Sequence, residues 1–133
     1  LFYSDYIEIN GGTFGGWVDT NEDGVYQAAE SLGNSAHNDA IIGFGSGTII
    51  INDGTFYYNF APSGGGGPKQ SLFSSSNIIV NGGYFANNYD EETRRTQRGG
   101  AVFNVLGSLE INGGLFENNQ TNKTGGVISL NNE

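Results

Sequence analysis

A six-residue unit recurs four times along this chain and leaves few folds open to it. Its copies are Ile9-Asn10-Gly11-Gly12-Thr13-Phe14, Ile51-Asn52-Asp53-Gly54-Thr55-Phe56, Val80-Asn81-Gly82-Gly83-Tyr84-Phe85 and Ile111-Asn112-Gly113-Gly114-Leu115-Phe116. Each follows a short aliphatic run, YIEI, TIII, NIIV or SLEI, and an upstream aromatic column stands at Phe2, Phe44, Phe73 and Phe103. Successive unit asparagines are 42, 29 and 31 residues apart. A repeat of about 30 residues with two or three short strands between turn residues matches one coil of a parallel β-solenoid. The alternative is a sandwich of recurring hairpins, but hairpins do not need the same six residues each time.

The alternation within each run predicts inside and outside. Ile7 and Ile9 flank Glu8, so the isoleucines point inward and the glutamate outward. The Asn-Gly-Gly that follows predicts a tight bend, where glycine accepts positive φ and asparagine tolerates it. Coils stacked about 4.8 Å apart would set Asn10, Asn52, Asn81 and Asn112 one above another as an amide ladder, and Phe14, Phe56, Phe85 and Phe116 as an aromatic column. The outward column reads Glu8, Ile50, Ile79, Glu110, and the pair Ile50 and Ile79 predicts a lateral contact or cover by a loop. Twenty-three glycines without a collagen period fit many turns. The expected fold is an all-β, right-handed single-stranded parallel β-helix of about four coils, with long loops on one side. It forms one domain over 1–133, alone or as part of a longer solenoid.

The stretches Gly99-Gly100-Ala101-Val102, Gly125-Gly126-Val127-Ile128, Phe85-Ala86-Asn87-Asn88 and Phe116-Glu117-Asn118-Asn119 carry a family likeness. They resemble the Gly-Gly-Ala-Ile and Phe-x-x-Asn signatures of polymorphic outer-membrane-protein repeats, a group of right-handed β-helices. The resemblance spans roughly 71–130 and loosens over 1–60, where Asp39-Ala40-Ile41-Ile42 stands in for Gly-Gly-Ala-Ile and Phe14 and Phe56 are read as lacking the signature's Asn. It implies a secreted or surface-exposed β-helix of structural or adhesive kind and carries over no catalytic residue.

The first interval exceeds its neighbours by about a dozen residues, and the excess holds DTNEDGVYQAAE, residues 19–30. This fits the EF-hand loop template D-x-[DN]-x-[DN]-G-x5-E. Asp19, Asn21 and Asp23 supply side-chain oxygens, Gly24 the sharp turn and Val25 a carbonyl. Gln27 acts through water and Glu30 as a bidentate ligand, an all-oxygen set suited to calcium. A short helix is predicted over YQAAESLG, ended by Gly33, while FGGWV supplies no entering helix. A lone loop of this kind predicts weak binding, about 10⁻⁴–10⁻³ M, and a structural clip for an insertion at about 15–39.

A formal charge of −9 with five Lys and Arg argues against nucleic acid and suits cations as partners. Cysteine is absent, and no apolar run approaches the roughly 20 residues of a membrane span. Asn119 and Asn122 open two sequons and are candidate glycosylation sites. His37 has no partners for a nucleophilic triad, and Arg94, Arg95 and Arg98 sit beside their own acids in YDEETRRTQR. Trp17, Tyr57 and Tyr58 either pack the insertions or stack on sugars.

The expectation is a non-enzymatic structural subunit of an extracellular fibril or surface appendage. It would assemble head to tail with other copies and hold calcium. A cell-surface adhesin or carbohydrate-binding segment is the alternative, and a polysaccharide-degrading fragment a third reading.

Overall fold

The computed structural model describes residues 4–25, 30, 32–34, 42–43, 46–61, 71–90, 102–121 and 126–130. It is all-β, with strands β1 (Tyr6–Gly15), β2 (Thr48–Tyr57), β3 (Phe60–Ala61), β4 (Phe73–Val80) and β5 (Tyr84–Ala86) in its first part. Strands β6 (Tyr89–Asp90), β7 (Phe103–Ile111), β8 (Leu115–Glu117), β9 (Gln120–Thr121) and β10 (Ile128–Leu130) complete it. Every pairing among these strands is parallel. A curled sheet runs β10-β7-β4-β2-β5-β8 with β1 on β2, and β3-β6-β9 form a second, three-stranded sheet. No helix among the described residues is long and apolar enough to cross a membrane.

Identical residues stack because in-register pairing puts them at one height. Ile9 pairs with Ile51, Ile51 with Val80 and Val80 with Ile111. Phe14, Phe56, Phe85 and Phe116 follow in the same way. Their rings stack at 4.8, 4.9 and 4.7 Å with planes within 8° of parallel, so the aromatic column repeats at the strand spacing. Phe73 and Phe103 meet that column edge-on, at 5.1 Å from Phe56 and 5.5 Å from Phe85. With Ile42, Ile49, Leu72, Ile78, Val102 and Val105 they form the core.

Burial falls off at both ends of the stack. Ile51 and Val80 are fully buried, Ile9 is 8% exposed and Ile111 is 42% exposed, because among the described residues Ile9 and Ile111 have a strand neighbour on one side only, β10 covering β7 just at Phe103–Val105.

The bend of each unit depends on its last glycine. Gly83 has φ +109°, and a Cβ there would lie 3.1 Å from the Gly54 carbonyl and 3.2 Å from the Phe85 ring. No L side chain meets both demands without displacement.

Three features depart from the expectation. Ile42, not Phe44, stands across from Phe73, so the upstream column is aliphatic at that layer; Phe44 and Phe2 lie outside the described residues. The extra residue between Phe103 and Ile111 is taken up as a bulge, where Ser75–Asn77 faces Val105–Ser108. The chain also does not leave the stack after each Phe. It turns at Tyr58, Asn87 and Asn118, all with φ near +52°, and adds the short strands β3, β6 and β9.

Candidate functional site

Two runs of asparagine cross the layers. On the outside, Asn52 Nδ2 donates to Asn10 Oδ1 at 2.7 Å, Asn81 Nδ2 to Asn52 Oδ1 at 2.7 Å, and Asn112 Nδ2 to Asn81 Oδ1 at 3.0 Å. Asn52 Nδ2 also reaches Glu8 Oε1, and Asn112 Nδ2 reaches Glu110 Oε1. All four asparagines are wholly or partly exposed.

The second run lies at the turns and is buried at its two middle members, Asn59 and Asn88. Asn34 donates its N–H and Nδ2 to Asn59 Oδ1, Asn59 does the same to Asn88 Oδ1, and Asn88 to Asn119 Oδ1, all at 2.8–3.1 Å. One amide hydrogen each of Asn59, Asn88 and Asn119 goes to the carbonyl of Phe14, Phe56 and Phe85 in the preceding layer. Asn59 and Asn88 are 2% and 1% exposed with both side-chain atoms satisfied, which a buried amide requires. Three members follow a Phe at the third place, Phe56-x-x-Asn59 included. The fourth, Asn34, sits where Phe14-x-x-Asn would place residue 17, displaced by the insertion. Asn119, read from sequence as a sequon, is half-buried in this run with its Nδ2 on the Phe85 carbonyl; Asn122 lies outside the described residues.

The acidic loop folds around its own backbone. Asp19 accepts from the N–H of Asp23 and Gly24, Asn21 from Asp23 N–H, and Asp23 from Val25 N–H and the Asn21 amide. The base closes through Val18 N–H to the Glu30 carbonyl at 3.0 Å and Leu32 N–H to the Gly16 carbonyl at 2.8 Å. Gly33 then passes so close to the Tyr58 carbonyl that an added Cβ would overlap it. This delivers Asn34 to the head of the inner run.

Glu30 is 5% exposed, and its Oε1 accepts from the backbone and hydroxyl of Thr20 at 2.9 and 2.8 Å. Its Oε2 is buried without a hydrogen-bond partner. An orphaned carboxylate oxygen costs more than the 1–3 kcal/mol or so of a neutral group, and a bound cation removes that cost. The donors on the loop are all oxygens and fit a hard cation. Among the described residues, however, no three His, Asp or Glu side chains are gathered closely enough to grip an ion, so the loop is not a closed cage. Gln27 and the expected helix lie outside the described residues.

At the turns, Tyr58, Asn87, Tyr89, Asn118 and Gln120 line an open cleft of about 310 Å³. Trp17 and Tyr57 each lie 5.7 Å from Tyr58. The Tyr84 hydroxyl donates to Glu117 Oε2 at 2.8 Å across the layers. That bond, then desolvation and the charge of Glu117, raise the Tyr84 hydroxyl above its ordinary pKa. Ile50 and Ile79 pair directly and are half-exposed. His37, Arg94, Arg95 and Arg98 lie outside the described residues.

Comparison of the chain with protein-family models, with curated proteins and with solved structures gave no match.

Proposed function

We propose that the chain is a right-handed parallel β-helix of about four coils, akin to the polymorphic outer-membrane-protein repeats. It serves as a non-enzymatic structural subunit of an extracellular fibril or surface appendage, growing by end-to-end stacking of its coils. The observation that carries this reading is the pair of end layers whose six-residue unit has no strand on its outer side among the described residues. Ile7, Ile9 and Phe14 line a hollow of about 260 Å³ at the first layer, while Ile111, Leu115 and Leu130 are 42%, 53% and 55% exposed at or near the last. Both layers carry the same six-residue unit, so one satisfies the other as internal layers satisfy each other. Calcium clips the 19–30 loop, supported by the orphaned Glu30 oxygen and the oxygen-only donors. A weak site of this kind works where calcium is abundant, outside cells.

Sedimentation velocity and negative-stain electron microscopy test the reading. Particles that lengthen with concentration support it, and a monomer at every concentration overturns it.

The cleft at Tyr58 and Tyr89 supports a second reading, a neutral-glycan-binding segment. Two tyrosines and three amide side chains offer ring faces for sugar C–H groups and hydrogen bonds for hydroxyls. Binding to a glycan array, abolished by Tyr89→Ala, is its test.

A further inference from the structure

The two asparagine runs point in opposite directions. In the outer run each amide donates toward the first layer, from Asn112 to Asn81 to Asn52 to Asn10. In the inner run each donates toward the last layer, from Asn34 to Asn59 to Asn88 to Asn119. A finite run leaves unused groups at its ends, and opposite polarity makes them different. At the first layer, among the described residues, Asn10 accepts from Asn52 through Oδ1 and its Nδ2 makes no hydrogen bond, while Asn34 gives its N–H and one Nδ2 hydrogen to Asn59 and its Oδ1 accepts none. At the last layer, Asn112 has an Oδ1 that accepts nothing among the described residues. Asn119 there has a backbone N–H and one Nδ2 hydrogen in excess of its bond to Phe85. The first layer therefore presents an outer donor and an inner acceptor; the last presents an outer acceptor and an inner donor.

We infer that a second copy of this chain docks last layer to first layer in one polarity only. Asn10 donates to Asn112 of the partner subunit, and Asn34 accepts from Asn119 of the partner subunit. The inference rests on the end-to-end stacking reading and adds its direction and its contacts. Both bonds repeat ones already made three times inside each copy, so the junction needs no new geometry. The apolar surfaces agree: Ile111 comes to the place across from Ile9 and Phe116 to the place across from Phe14, continuing both columns. Two first layers placed face to face would run their strands antiparallel, and neither the asparagine runs nor the ring column would continue.

The polarity is testable with two changes of one amide nitrogen to oxygen. Asn10→Asp keeps the oxygen that Asn52 needs but turns the outer donor of the first layer into an acceptor. Asn119→Asp keeps the oxygen that Asn88 needs, gives up the bond to the Phe85 carbonyl within the copy and does the same to the inner donor of the last layer. Each spoils one face of the full chain and leaves the other intact. We expect each variant alone to self-associate at least about tenfold more weakly than wild type, since each replaces a hydrogen bond by opposed oxygens. Mixed one to one, they form a heterodimer that grows no further, read by sedimentation velocity with one variant fluorescently labelled. Should circular dichroism show either variant unfolded, Asn34→Lys blocks the first layer and Leu115→Glu the last. If Asn119→Asp alone still dimerises through its intact first layer, or the mixture gives no heterodimer while wild type polymerises, the polarity is overturned and stacking stands. If wild type itself stays monomeric, the stacking reading fails and takes this inference with it.

Discussion

At the residue scale, the two asparagine runs have the same chemistry and unequal worth. Asn88 is buried and serves four partners: two donors of Asn59, the oxygen of Asn119 and the carbonyl of Phe56. Replacing it by Ala strands buried groups in two neighbouring layers, and we expect a loss of about 3 kcal/mol or more in a urea melt. Asn81 is exposed, and water replaces its partners, so Asn81→Ala costs about 1 kcal/mol or less. Equal losses at the two sites would show that burial does not set their value. Gly83→Ala combines a disfavoured φ with a crowded Cβ and should cost roughly 2 kcal/mol in the same assay.

The tyrosine bonded to Glu117 gives a pH signature. Because the folded-state pKa of Tyr84 is raised, its contribution to stability is complete below the ordinary tyrosine value near 10. It is lost as pH climbs through the higher folded value. Spectrophotometric titration should place Tyr84 above the ordinary value in wild type and closer to it in Glu117→Gln.

At the element scale, the loop from Gly16 to Asn34 is a detour that ends where it must. Its closing strand-like contacts set Gly33 against the Tyr58 carbonyl and Asn34 on Asn59, so loop order and inner-run order are one problem. Calcium at 1 mM and a Kd of about 10⁻⁴ M would add about 1.4 kcal/mol, roughly 5 °C in Tm. We expect that rise to vanish with chelator, with Asp19→Ala and with Glu30→Gln. The last variant should also raise stability without metal, since it removes the buried orphan charge. A melt indifferent to calcium would remove the metal from the loop.

At the scale of the whole molecule, stacking one copy on another brings Glu110 of the partner subunit next to Glu8, both exposed. The like charges oppose the junction and are screened by salt. Raising sodium chloride from about 0.05 to about 0.5 M should therefore strengthen association severalfold, opposite to an interface held by ion pairs. Weakening with salt would argue against this juxtaposition.

The repeated unit alone determined the parallel registry and the aromatic column, because four copies of one pattern can bury the same residues only by stacking in step. The inward and outward places of Ile7, Glu8 and Ile9 followed from alternation. The inner asparagine run was half visible: Asn88 and Asn119 stand in the Phe-x-x-Asn signature, while Asn59, also third after a Phe, was missed. Its fourth member was hidden: Asn34 joins only because the chain closes the loop through Gly16 and Leu32, a contact between residues distant in sequence. Tertiary structure likewise put Ile42 rather than Phe44 opposite Phe73, a pairing between residues distant in sequence that the Phe spacing alone did not reveal. Only the folded molecule decided which way each amide points. A side-chain amide can donate or accept at either side, and its direction is chosen by the carbonyl or carboxylate that the stack places beside it.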